Sequence, residues 1–193
     1  PELVLRLAAD ADVVVAVDRG LDTLIAAGVD PHLFCGDCDT ASRTATLHLD
    51  CLVAAGTCEL ERYDPYKDFT DLALALRAVD ARWPGARVTF TCFSGGRPDH
   101  FLAVIGTLAR APFTVALEED GFSGRILRAG EQWDIVDAAG SGFSFVPLLP
   151  DTVVSEQGME WELDHRLCDA LSDLASRMLF ARHARRLPVM KAR

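Results

Sequence analysis

Between residues 13 and 117 five short stretches that read as strands, at 13–17, 31–35, 57–62, 87–93 and 113–117, alternate with longer stretches in which apolar residues recur at helical spacing. The apolar, β-branched run at 13–17 predicts a buried strand. Leu21, Leu24 and Ile25, and later Leu72, Leu76 and Val79, predict helices with one apolar face. Gly28 and Gly56 stand where two of these helices should stop, and Pro98 suits the first turn of another. Strands alternating with helices at this spacing pair in parallel through right-handed crossovers, so the expected fold class is α/β, with a doubly wound, mainly parallel, Rossmann-like sheet at the N-terminus. After Glu119 the texture changes. Short runs at 125–127, 133–136, 142–146 and 152–155 are separated by Gly, Asp and Pro, with at most one short helix near 167–174. This predicts a small antiparallel β domain and divides the chain into residues 1–120 and 121–193.

A chain of 193 residues, half of them apolar, can bury a sizeable core. Its net charge of −10 argues against a general nucleic-acid binder. From His165 onward seven Arg or Lys stand against only Asp169 and Asp173. An ordinary solvated face or a subunit contact explains that tail better than a nucleic-acid patch. Six cysteines scattered through apolar runs predict reduced thiols in a cytoplasmic protein. Cys35 and Cys38 form a C-x-x-C, but a redox dithiol should open a helix, whereas Cys35 ends a predicted strand. No run reaches the length of a membrane span, and the first residues lack the pattern of a signal peptide.

The chemistry concentrates where the strands end. Gly36-Asp37-Cys38-Asp39-Thr40 places two carboxylates two residues apart after an apolar run, which turns both the same way at a strand end. Two such groups repel unless a cation lies between them, and a hard cation with oxygen ligands such as Mg2+ is the usual occupant. The plainer alternative is that Thr40 or Ser42 caps the next helix. Three further loops are equally rich: Asp18 with Arg19, Lys67 with Asp68 and Asp71, and Gly95 to His100. Here too Asp68 and Asp71 could be a cap and its partner, and Gly95-Gly96 a simple turn. In open α/β sheets, loops beyond the carboxyl ends of the strands share one site. Together these residue types suit a metal-bound phosphate chain: carboxylates for the metal, Lys67 and Arg97 for the remaining oxygens, and a Gly-rich turn offering backbone N–H groups. No Walker A pattern occurs. Asp99 and His100 could serve the reaction or fix Arg97, and a purely structural His100 fits equally well.

In this order the motifs resemble those of the thiamine pyrophosphokinase family. Its Asp-Gly-Gly appears as Asp18-Arg19-Gly20, its Gly-Asp-Phe-Asp-Ser as Gly36 to Thr40, its Asp-x-Thr-Asp as Asp68-Phe69-Thr70-Asp71, and its Gly-Gly-Arg-x-Asp-His as Gly95 to His100. The likeness extends to 142–147 and to 158–163, and so covers nearly the whole chain. It implies transfer of pyrophosphate from ATP to the hydroxyl of thiamine, with Mg2+ as cofactor held by Asp37, Asp39 and Asp71. It places Asp18, Arg19, Lys67, Asp68, Thr70, Arg97, Asp99 and His100 at the ATP and makes Lys67 catalytic alongside the three carboxylates. It further implies a homodimer with the active site between subunits, Trp161 as a platform for thiamine and Ser176 beside it. Arg19 stands where the family has Gly and Ser176-Arg177 where it has Ser-Asn. The family's first strand would precede Pro1. Two other readings compete: a nucleotide-sugar transferase gripping a diphosphate through Asp37 and Asp39, and a nucleotide- or thiamine-binding regulatory protein without turnover. The substrate could also be a thiamine-like alcohol.

Overall fold

The structure, a computed structural model, describes residues 1–64, 68–136, 140–172, 178–179 and 189–192. Its chain divides into two units, Pro1–Gly124 and Arg125–Arg193. In the first, α1 (Glu2–Ala9), β1 (Val15–Val17), α2 (Gly20–Ala26), β2 (Leu33–Gly36), α3 (Arg43–Ala54), β3 (Glu59–Arg62), α4 (Asp71–Arg82), β4 (Arg87–Phe90), α5 (Pro98–Ala109) and β5 (Thr114–Glu119) follow the expected alternation. β6 (Phe122–Ile126) joins β5 and carries this unit past the break expected at residue 120.

The strands pair in parallel in the order β1-β2-β3, with Ala16 opposite Phe34 and Phe34 opposite Leu60. Because successive strand residues face opposite ways, β2 feeds two cores. Phe34 packs with Val4, Leu21, Leu24, Ala45 and Leu49 from α1, α2 and α3. Leu33 and Cys35 pack on the other face against Ala75 and Ala78 of α4. Leu33, Phe34 and Cys35 are fully buried, and burying Leu33 and Phe34 contributes about 2–3 kcal/mol each. β4 and β5 also pair in parallel, with Val88 opposite Val115, but within a second sheet of order β4-β5-β6. The parallel strands thus fall into two sheets, β1-β2-β3 and β4-β5, the second completed by β6, and among the described residues β1 and β4 share no hydrogen-bonded ladder.

The second unit holds β7 (Gln132–Asp134), β8 (Gly142–Phe143), β9 (Thr152–Gln157), β10 (Leu163–Cys168), β11 (Met178–Leu179) and β12 (Val189–Ala192). Four of these form an antiparallel sheet, β10-β9-β12-β7, and the other two a short antiparallel pair. Its core contains Phe145, Val154 and Cys168. The helix expected near 167–174 does not form over its described part, since Leu167 and Cys168 pair with Val153 and Thr152 and residues 169–172 are not helical. Cross-strand pairing with β9 overrides the local pattern there. No helix among the described residues is long and apolar enough to cross a membrane.

Candidate active site

Three residues other than Gly adopt left-handed backbone conformations just beyond parallel strands: Asp18 after β1 (φ 45°), Cys38 after β2 (φ 66°) and Cys92 after β4 (φ 60°). Such conformations persist only where surrounding structure enforces them, and they concentrate at functional sites. Here the enforcing contacts are visible. The Asp18 N–H donates to Cys35 O at 3.1 Å, which prolongs the β1–β2 ladder through the turn, and Tyr63 N–H donates to Gly36 O at 3.2 Å from the β3 side. The Asp18 carboxylate lies so close to Gly36 that a Cβ there would overlap its Oδ1. Gly36 is therefore required by close approach as well as by the turn.

The loop from β2 to α3 carries Asp37, half-buried, and Asp39, exposed. Asp37 Oδ1 accepts the Asp39 N–H at 3.1 Å, closing a local turn around Cys38. The Arg62 guanidinium, at the end of β3, reaches Cys38 Sγ at 3.7 Å. Ser42 then caps α3, its Oγ accepting from Ala45 N–H at 3.2 Å. The Ser42 N–H donates to both oxygens of Asp22, in the first turn of α2, at 3.1 and 3.3 Å. Hydrogen bonds from Ser42, with Arg19 nearby, hold the Asp22 carboxyl below its usual range. All six cysteines are free. Burial pushes the Cys35 thiol up to about 11, the opposite of an activated redox thiol.

Packing of Ala75 and Ala78 on β2 fixes where α4 begins and thereby brings Asp71 to the carboxyl end of that strand. Thr70, not Asp68, caps this helix, its Oγ1 accepting from Ala73 N–H at 3.2 Å. The Gly-rich turn is held from behind by Phe93, which contacts Phe90, Phe101 and Phe122 at ring separations of 5.8, 5.9 and 6.1 Å. Glu119, at the end of β5, receives the N–H groups of Phe93 and Ser94 on one carboxylate oxygen at 2.8 and 3.2 Å. Pro98 opens α5. Arg97 is paired with Asp99, its Nε donating to Oδ1 at 3.1 Å, and both side chains are largely exposed. That pair raises the Arg97 pKa and lowers that of Asp99.

These loops border a cleft of about 600 Å³ running along β1 and β4. Asp18, Arg19, Thr70, Asp71 and His100 line it, together with Thr40, Ser94 and Gly95. Asp37, Asp39, Asp68, Arg97 and Asp99 lie outside its lining. Among the described residues no group of three or more His, Cys, Asp or Glu side chains is close enough to hold a metal, so Asp37, Asp39 and Asp71 are not gathered around one point. Lys67 and Ser176, like Arg177, lie outside the described residues. Trp161 belongs to the second unit and is 61% exposed.

Asp22, Arg62 and Glu119 escape a reading of motifs. Only their positions could have signalled them: Asp22 stands in the first turn of the helix that follows Asp18, and Arg62 and Glu119 end parallel strands.

The family model described as thiamin pyrophosphokinase, catalytic domain, matches residues 4–117. Among solved structures the fold is similar to thiamine pyrophosphokinase from Bacillus subtilis, at 22% identity over 92% of this chain and 81% of that one, with a TM-score of 0.69. The enzyme from Geobacillus thermodenitrificans is 21% identical over 98% of this chain and 86% of its own, with a TM-score of 0.70. That from Candida albicans shares only 11% over 96% and 80%, yet has a TM-score of 0.67. At such identities the likeness establishes the fold. No curated protein matches the chain. With more than half of its residues matched by the family model, the chain belongs to the thiamin pyrophosphokinase family.

Proposed function

We propose that the chain, as a member of this family, transfers pyrophosphate from ATP to the hydroxyl of thiamine and releases AMP. The observation that carries the proposal beyond family membership is the cleft, to which the loop after β1, the start of α4 and the Gly-rich turn all contribute. On this reading Asp18, Arg19, Asp68, Thr70, Asp99 and His100 bind ATP, and Lys67 and Arg97 neutralise its phosphate oxygens. The first residues of α5 offer backbone N–H groups to the same phosphates.

Asp37, Asp39 and Asp71 are the candidate holders of Mg2+: carboxylate oxygens are the hard donors this cation takes, and Asp71 already lines the cleft. When bound, Mg2+ supplies charge neutralisation on the phosphate oxygens. The chain's own task is then to align the thiamine oxygen with the β-phosphorus and to receive the charge that develops on the transferring group and the departing AMP.

We further assign the nucleotide to residues 1–120 and thiamine binding with dimerisation to 121–193, with Trp161 and Ser176 at the thiamine. The two parallel sheets serve in this picture as halves of one doubly wound frame. Val146, Leu149, Trp161, Leu167 and Leu171 of the second unit are each at least 60% exposed, which favours a partner surface there. A second copy of the chain, completing the active site, is the partner we assign. The thiol chemistry fits a cytoplasmic setting.

Incubation of folded protein with ATP, Mg2+ and thiamine tests the assignment, with AMP and thiamine diphosphate formed in equal amounts as the expected result. Binding of ATP without either product overturns turnover, and product from another alcohol only overturns the choice of thiamine.

A further inference from the structure

The β2–α3 loop that bears Asp37 and Asp39 is held at both ends by the β1–α2 segment. At its start the Asp18 carboxylate packs against Gly36, and Asp18 N–H bonds to Cys35 O. At its end, six residues beyond Gly36, the Asp22 carboxylate receives the Ser42 N–H with both oxygens. Asp18, in the turn after β1, and Asp22, in the first turn of α2, are four residues apart, so one short segment of chain touches both ends of the loop. Its two ends differ, however. The start is also fixed by ladder bonds from β1 and β3, whereas at the end Asp22 is the group reaching across from another element to the backbone.

We propose that Asp22 is a positioning residue: by clamping the backbone at Ser42 it sets the conformation of the loop that carries Asp37 and Asp39. The inference rests on the cation role given to those two carboxylates above. Asp22 is absent from the cleft lining, so it acts through the loop and not on the substrate. Ser42 adds to the effect because its side chain caps α3, so loss of the clamp frees the loop where it joins that helix. Groups that orient ligands from behind typically change metal affinity by about 10- to 100-fold when removed.

The test uses the full chain and two readouts. Hydrogen exchange on the metal-free protein reports the Ser42 amide, and a Mn2+ titration followed by electron spin resonance, with a non-hydrolysable ATP analogue present, reports the cation. Asp22→Ala should deprotect Ser42 and weaken Mn2+ about tenfold, while Asp22→Asn, which keeps an acceptor oxygen, restores both. Should the Ala variant not fold, Asp22→Ser takes its place, since it keeps a small polar side chain in the first turn of α2 that is too short to span both contacts. Wild-type Mn2+ affinity in a folded truncation variant overturns the proposal, as does an Asn variant as weak as the truncation, which would make charge the cause. Failure of the wild-type protein to bind Mn2+ at all strikes instead at the cation role of Asp37 and Asp39, and the proposal falls with it.

Discussion

The two units place their strained groups differently. In the first, Asp18, Cys38 and Cys92 take left-handed conformations just beyond the carboxyl ends of parallel strands. In the second, Asp151, His165 and Leu171 take them before, within and after strands, and the conspicuous case is a buried side chain. Glu156 of β9 is 1% exposed, and among the described residues neither carboxylate oxygen has a hydrogen-bond partner. It shares a strand face with Val154, which packs with Phe145 and Cys168. Burial alone pushes the Glu156 carboxyl up to about 7. The contrast follows from topology. Parallel strands bring their carboxyl ends, and hence their loops, to one side, so strain there can serve a shared site. Antiparallel strands send successive turns to opposite ends, and a polar group between them is simply enclosed.

Substitutions in each unit test this contrast. The largest effect should come from Asp37→Ala or Asp39→Ala, which should lower turnover about 1,000-fold, or about 4 kcal/mol. Because these side chains are not core residues, the thermal midpoint should move by no more than about 2 °C. A coupled assay for AMP beside a thermal melt checks both. A melt that collapses while residual turnover persists would make the loop a structural element like those of the second unit.

Next is Glu156. Its folded pKa lies above the unfolded value of 4.5, so the protonated form favours folding. The second unit should be most stable below pH 4.5 and lose stability as pH rises from 4.5 to about 7. The loss amounts to about 3 kcal/mol. Hydrogen exchange of β9 and β10 at pH 5 and pH 8 measures it, and Glu156→Gln should flatten the dependence. A wild-type second unit equally protected at both pH values would refute the buried, unpartnered carboxyl.

Gly36→Ala should have the smallest effect of the three, about 1–3 kcal/mol in urea unfolding. Its added Cβ meets the Asp18 carboxylate, so turnover should fall together with stability. A folded variant with full activity would mean that Asp18 need not occupy its present place.

How much of this was legible in residues alone depends on whether the interactions are local. The helix starts at Ser42 and Pro98 follow from short-range rules, and both appear. The cap of α4 shows the limit of such rules. Asp68 and Thr70 are both competent caps, and the packing of Ala75 and Ala78 on β2 settles where the helix begins, which selects Thr70. The β10 segment resembles a short helix until β9 is present to pair with it. Asp22 and Glu119 read as ordinary surface acids, because their partners, Ser42 and Phe93 with Ser94, lie 20 or more residues away in sequence.

Residue order alone carries the succession of elements, the α/β character of the first unit, the antiparallel character of the second and the family motifs at Asp18, Gly36, Asp68 and Gly95. Periodicity, turn chemistry and residue type act over a few positions, so they survive without coordinates. Packing in three dimensions sets the rest: the parallel strands fall into two sheets flanking a cleft, Asp18, Asp71 and His100 line that cleft while Asp37 and Asp39 do not, and acids outside the motifs hold the loops. Those outcomes rest on distances between segments far apart in the chain, and such distances are set by packing of whole elements, not by any local preference.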